Sequence, residues 1–444
     1  MGEEMREESE RANRRSSALL GHLTPASFQG REEEGGKLLH AVRLEEKKKD
    51  AGDDVVIVAA VRTPHTRARR GGLKDTPADD LVCSVVEAVL EKAGGKVTGD
   101  DIGDVVFGSV LGPSSQRANE VRTGTLLAGL PETVPSRTVN RQCSSGLQAL
   151  ADVVSSIEAG YYTVGIAGGI ETMTKNPMAW EGSVNPRLKT HPKAFSCLLP
   201  MGITSENVAE KYGITREQQD LFAVRSHARA ALAAKTGRFK DEIVPVKTTV
   251  KDANGKQIDV VVSEDDGIRA KTTMQTLAKL KPAFKPNGST TAGNASQVTD
   301  GASAVLVMKR SEATRRGLPV LGVWRSFAVV GVDPAIMGIG PAVAIPAALD
   351  KAGLSVRDVS LYELNEAFAS QASYCAVKLG LDESQVNVNG GSIALGHPLG
   401  STGTRCVGTL LHEMKKRGKG CRYGIVSMCI GTGMGAAAVL ERGS

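Results

Sequence analysis

The sequence predicts an α/β protein in which one strand-and-helix unit is used twice. Three observations point there. Short apolar, β-branched runs alternate with helix-like segments from Val55 onward. That rhythm breaks once, over residues 174–298, and resumes with Ala302-Ser303-Ala304-Val305-Leu306-Val307-Met308. The order of small-residue turn, helix, glycine-containing link and strand over Asn140–Gly169 is repeated over Asn389–Cys429, which reads as a duplicated unit.

The elements follow in order. Asp53-Asp54 opens a first strand at Val55–Ala60, and Val105–Val110 reads as another. Asp80–Leu90 and Glu120–Leu127 read as helices. Thr133–Val139 ends a strand, and apolar residues at helical spacing run from Leu147 through Val153 and Ile157. Tyr162–Gly169 reads as a buried strand ahead of Glu171. Within 174–298 a helix begins at Thr215, with Gln218 in the capping-box position. An excursion of that length is expected to carry substrate contacts. Later come the strand Ser360–Leu364, the helix Gly403–Lys416 and the strand Tyr423–Met428. Ile425–Leu440 is the longest apolar run. Gly431, Gly433 and Gly435 interrupt it, so it reads as two buried strands joined by a turn rather than a membrane span. The expected organisation is a leader at 1–50, a first half at 51–173, an inserted loop domain at 174–298 and a second half at 299–444.

Composition narrows the function. Charged residues are 23% and hydrophobic ones 41% of 444, an ordinary globular balance with no membrane-spanning run. The net charge of +6 is spread out and lacks interleaved aromatics, which argues against nucleic acid but suits an anionic, phosphorylated substrate. The seven cysteines, at 83, 143, 197, 375, 406, 421 and 429, form no CxxC pair and no metal-ligand spacing. A reducing compartment and no metal are expected.

Cys143 lies in Asn140-Arg141-Gln142-Cys143-Ser144-Ser145-Gly146, between a strand end and a helix start. There free backbone N–H groups and the helix dipole favour a thiolate, whereas a buried inert cysteine is the competing reading. Three later stretches carry groups suited to acyl transfer: Asn365-Glu366-Ala367-Phe368, Gly396-His397-Pro398-Leu399-Gly400 and Cys429-Ile430-Gly431-Thr432-Gly433. Alone, Asn365 could cap a helix, His397 could sit structurally in its loop, and Cys429 could simply be buried. Together and in this order, Asn-x-x-Cys-x-Ser-Gly, Asn-Glu-Ala-Phe, Gly-His-Pro and Cys-x-Gly resemble the signature set of the thiolase family. The resemblance covers roughly residues 53–442 and is nearest the plant-type peroxisomal 3-ketoacyl-CoA branch. Pro177–Ser183, Thr291–Ser296 and Gly338–Pro341 also look familiar.

The resemblance implies two βαβαβαββ halves stacked as αβαβα layers with an inserted loop domain, assembled as a homodimer. It implies thiolysis of 3-oxoacyl-CoA, the last step of β-oxidation, with CoA as co-substrate and no permanently bound cofactor. Cys143 would be the nucleophile and acyl carrier, His397 its base or ion-pair partner, and Cys429 the second acid/base. Asn365 with His397 would form one oxyanion site, and the N–H groups of Cys143 and Gly431 the other. Arg269, Ser296 and Met201 are the candidate CoA and substrate contacts. Pro200-Met201-Gly202 stands where short-chain biosynthetic relatives often carry His-Met-Gly, which favours the degradative branch. Acetoacetyl-CoA synthesis, and a catalytically silent lipid carrier or scaffold, are the alternatives.

Two further expectations concern regulation and address. Cys197, in Phe195–Pro200 just ahead of the expected active-site segment, could close a reversible disulfide with Cys143. Cys197→Ala should then lose thiol-reversible oxidative inactivation; retention would remove the idea. Arg15-Ser16-Ser17-Ala18-Leu19-Leu20-Gly21-His22-Leu23 stands out in the polar leader. It resembles an amino-terminal peroxisomal signal read by an import receptor, except that Ser16 replaces an aliphatic residue. A reporter fused to residues 1–50 should enter peroxisomes; a cytosolic fusion would end that expectation.

Overall fold

A computed structural model of the chain describes residues 54–112, 116–180, 182–252 and 254–443. The candidate targeting island at Arg15–Leu23 lies outside the described residues. Twelve strands are described: β1 Val55–Arg62, β2 Thr66–Arg67, β3 Val105–Gly108, β4 Ser136–Val139, β5 Val164–Thr172, β6 Val246–Lys251, β7 Gln257–Val262, β8 Thr299–Lys309, β9 Gly322–Gly331, β10 Val359–Leu364, β11 Tyr423–Ile430 and β12 Met434–Arg442. Except for the β6–β7 hairpin they form one ribbon, ordered β10-β11-β12-β9-β1-β8-β5-β3-β4, with β2 beside β8.

The duplication is visible in the pairing. In the first half β3 runs parallel to β4 and β5, while β8 lies antiparallel between β5 and β1. In the second half β10 runs parallel to β11, and β12 lies antiparallel between β11 and β9. A single parallel bridge from Tyr362 to Val386 stands where β4 stands in the first half. The halves join through Val56↔Val323 and Ile57↔Gly322.

This pairing corrects one boundary. Strand β8, which the sequence reading assigns to the second half, is hydrogen-bonded between two strands of the first. The chain returns to its first sheet after the insertion, so chain order and spatial order part there.

Layering follows from strands that are apolar on both faces. Val56 and Val61 of β1 pack outward, with the helices Ala78–Glu91 and Gln116–Leu127 covering that side. Val55, Ile57 and Ala60 pack inward on the helices Ser145–Glu158 and Thr402–Arg417. In β12, Ala436, Ala438 and Leu440 join the same inner core, while Ala437 and Val439 face an outer layer with the helices Gly340–Lys351 and Ala369–Leu379. The result is the expected α-β-α-β-α stack, each buried aliphatic side chain contributing about 1.5–3 kcal/mol.

The two central helices touch at their amino-terminal ends. A Cβ on Gly403 would meet Leu147 N at 2.1 Å, and one on Gly146 would meet Gly400 O at 2.5 Å. Glycine at both places lets the backbones close, bringing the Cys143 and His397 loops together. The insertion holds the helices Met201–Tyr212 and Arg216–Lys235; Thr215 caps the second in a capping box with Gln218.

Candidate active site

Cys143 sits on a strained turn that the neighbouring residues hold in place. Gln142 has φ 47°, a left-handed conformation uncommon for a residue with a side chain. Asn140 Oδ1 accepts from Gln142 N at 2.9 Å. Ser145 Oγ donates to Gln142 O at 2.6 Å and accepts from Arg141 N at 2.9 Å. The spacing of Asn140, Cys143 and Ser145 is therefore a turn specification. The helix Ser145–Glu158 starts at once, and the sulfur is buried beside Met173 and Leu399.

The second half supplies the rest. The backbone N–H groups of Gly431 and of Cys143 itself lie near enough to the sulfur to favour its thiolate. These are the two donors expected for the adduct oxygen. Gly431 follows Cys429 at the end of β11, and Cys429 lies within electrostatic reach of Cys143. Met337, Ala367 and Phe368 enclose Cys429, and Met201 packs against them. Asn365 follows β10, its N–H bonded to Ser427 O at 2.9 Å, two residues before Cys429. Asn365 is not a helix cap: its Nδ2 lies 3.2 Å from His397 Nε2. His397 Nδ1 lies 2.6 Å from Thr402 Oγ1, whose hydroxyl donates to Pro398 O at 3.0 Å. With the Thr402 hydroxyl turned to Pro398 O, its oxygen accepts from Nδ1, which leaves the lone pair on Nε2.

The electrostatics correct one expectation. The helix dipole and backbone N–H groups were expected to favour a thiolate at Cys143. Burial outweighs them and pushes the thiol up to about 11, the Gly431 and Cys143 N–H groups offsetting only part. Burial, assisted by the Arg405 charge, lowers His397 to about 3. Both shifts favour a neutral thiol and a neutral imidazole at rest. Iodoacetamide inactivation should therefore accelerate about tenfold per pH unit between pH 7 and 9. A rate already level from pH 6 upward would contradict this.

Of the other candidates, Met201 begins its helix at the pocket, its sulfur 3.5 Å from where a Cβ on Gly431 would stand. Ser296 is half-buried and bonded through its N–H to Ala367 O at 3.0 Å, on the Cys429 side. The Arg269 side chain is exposed, with its backbone N–H on His227 Nδ1 at 3.2 Å. Cys197 is partly buried, its sulfur 3.7 Å from Thr432 O, one residue beyond Gly431; all seven cysteines are free thiols.

Glu171 escaped the sequence reading. Fully buried, it accepts from Val110 N at 2.9 Å, Leu111 N at 3.1 Å, Gly400 N at 3.0 Å and Ser109 Oγ at 3.2 Å. It ties the His397 loop to the first half. An acid ending a fully apolar strand was the available signal. Among the described residues no cluster of His, Cys, Asp or Glu could hold a metal ion, and no helix is long and apolar enough to cross a membrane.

Duplicated α/β halves with a buried cysteine, histidine and second cysteine gathered at their junction define an acyltransferase working through a thioester. The chain belongs to the thiolase family: the model of the thiolase N-terminal domain matches residues 55–311 and that of the C-terminal domain residues 318–442. It is 59% identical over 440 residues to "3-ketoacyl-CoA thiolase 2, peroxisomal" of Arabidopsis thaliana, covering 98% of this chain and 95% of that protein. It is 54% identical over 427 residues to "3-ketoacyl-CoA thiolase B, peroxisomal" of Rattus norvegicus, covering 96% and 99%. Among solved structures, the dimeric peroxisomal thiolase of Saccharomyces cerevisiae superposes with TM-score 0.81 at 43% identity, covering 89% of this chain and 99% of that one.

Proposed function

We propose that the protein cleaves 3-oxoacyl-CoA with CoA, giving acetyl-CoA and an acyl-CoA two carbons shorter, in the peroxisome. The observation that carries this reading is the meeting of the two halves, with Gly146 of the Cys143 helix against the Gly400 carbonyl of the His397 loop and Cys429 in electrostatic reach of Cys143.

Cys143 Sγ adds to the C3 carbonyl while its proton passes to His397 Nε2. The Cys143 and Gly431 N–H groups hold the new alkoxide. The C2–C3 bond then breaks, leaving the acyl group on Cys143. The electron pair passes into the acetyl-CoA enolate, whose oxygen is held by Asn365, through a water, and by the protonated His397. Cys429 gives its proton to C2, and the resulting thiolate takes the proton of incoming CoA. The CoA thiolate attacks the acyl-enzyme, and Cys143 leaves and recovers its proton from His397. CoA is consumed as a substrate, with Met201, Ser296 and Arg269 as its proposed contacts. The chemistry returns every protein proton to its origin.

The peroxisomal names of the relatives and the Arg15–Leu23 island support that address and an import receptor as partner. The dimeric yeast relative supports a homodimer. Thiolysis of a 3-oxoacyl-CoA length series tests the reading. Faster turnover of medium or long chains than of acetoacetyl-CoA is expected. Activity on acetoacetyl-CoA alone would favour the condensing role, and none at all would favour the silent carrier.

A further inference from the structure

We infer that Arg405 and Ser392 are positioning residues that set the direction of the hydrogen bonds on Asn365 and His397. The inference rests on reading those two side chains as the ones that work on substrate. Arg405 lies in the first turn of the helix Thr402–Arg417, enclosed on all sides. Its guanidinium donates to Glu363 Oε2 at 3.0 Å and to Ser392 Oγ at 3.3 Å.

A guanidinium can only donate, so the Ser392 oxygen accepts there and its proton must go elsewhere. It goes to Asn365 Oδ1, 2.6 Å away. The amide is thereby fixed with its oxygen toward Ser392 and its NH2 toward His397 Nε2, at 3.2 Å. An NH2 group also only donates, so Nε2 must present a lone pair and Nδ1 the proton. Nδ1 gives that proton to Thr402 Oγ1, which passes its own to Pro398 O.

The polarity runs one way from Arg405 to the Pro398 carbonyl. A flipped Asn365 would leave the buried Ser392 hydroxyl hydrogen without an acceptor, and the opposite ring tautomer would set an Nε2–H against the Asn365 NH2, donor facing donor. Neither Arg405 nor Ser392 touches a reacting atom. Their effect is to keep the base form of His397 facing the pocket and the Asn365 donor aimed where the enolate oxygen develops. Glu363, paired with Arg405, keeps the guanidinium in register.

Ser392→Ala removes the link while leaving the Arg405–Glu363 pair in place. In the full chain, kcat for thiolysis should fall about 10- to 100-fold, as when a group orienting a catalytic residue is removed, with KM within about twofold. In an Asn365→Ala background the same change should alter kcat by less than about twofold, because the path runs through Asn365. An equal loss in both backgrounds would overturn the inference while leaving the site reading intact. An Asn365→Ala enzyme with the parent's kcat would overturn the site reading beneath it. A measurement on the parent needs no variant to fold: the imidazole ¹⁵N spectrum of His397 at neutral pH should show Nδ1 protonated. Protonation at Nε2 would overturn the inference.

Discussion

Cys143→Ala should lose thiolysis by on the order of 10⁴-fold or more and still fold. The loss is large because no neighbour can replace the sulfur. Cys429 is enclosed by Met337, Ala367 and Phe368, and Cys197 lies beyond the Gly431 turn against Thr432. The fold survives because the turn is held by Asn140 and Ser145 rather than by the thiol. Removing one sulfur beside Met173 and Leu399 leaves a small cavity, costing about 1 kcal/mol. A variant keeping more than about a hundredth of the parental rate would mean that the acyl group travels without Cys143.

Cys429→Ala is the second large effect, and it separates two roles that a simple activity loss confuses. Burial, and then the nearby Cys143, hold the Cys429 thiol well above the usual range, so at neutral pH it is a proton donor. That is the state needed to quench an enolate. Without it, turnover should fall on the order of 10³-fold, since both protonation of acetyl-CoA and deprotonation of CoA fail. Alkylation of Cys143 by iodoacetamide should continue at least at the parental rate, because no step of it uses Cys429. Parallel loss of alkylation and turnover would show instead that Cys429 only shapes the pocket.

The fold was legible where one physical rule governs a segment. The apolar runs at Val55, Ala302 and Tyr423 became strands because only a sheet buried on both faces tolerates them. Thr215 and Gln218 marked a helix start through capping. The boundary at β8 was misread because strand neighbours depend on long-range pairing, which no local pattern carries. Of the proposed site, Cys143, His397 and Cys429 stood out in the sequence as reactive types at turns between strands and helices, joined into one set by the family resemblance.

Their supports were not. Arg405, Ser392 and Thr402 look like ordinary polar positions near a helix start, and only burial at the junction of the halves turns them into a directed chain. The thiol state at Cys143 was misjudged for the same reason. A helix end is visible in sequence, but the desolvation that outweighs it is not.

The account stands on one carbonyl being served by groups from both halves, with the acyl group resting on Cys143. The direct measurement is peptide mass spectrometry after brief exposure to a 3-oxoacyl-CoA without free CoA. The predicted result is a thioester of the shortened acyl group on the Cys143 peptide, discharged on adding CoA. Full turnover with no adduct at Cys143, or with the adduct on Cys429 or Cys197, would contradict it.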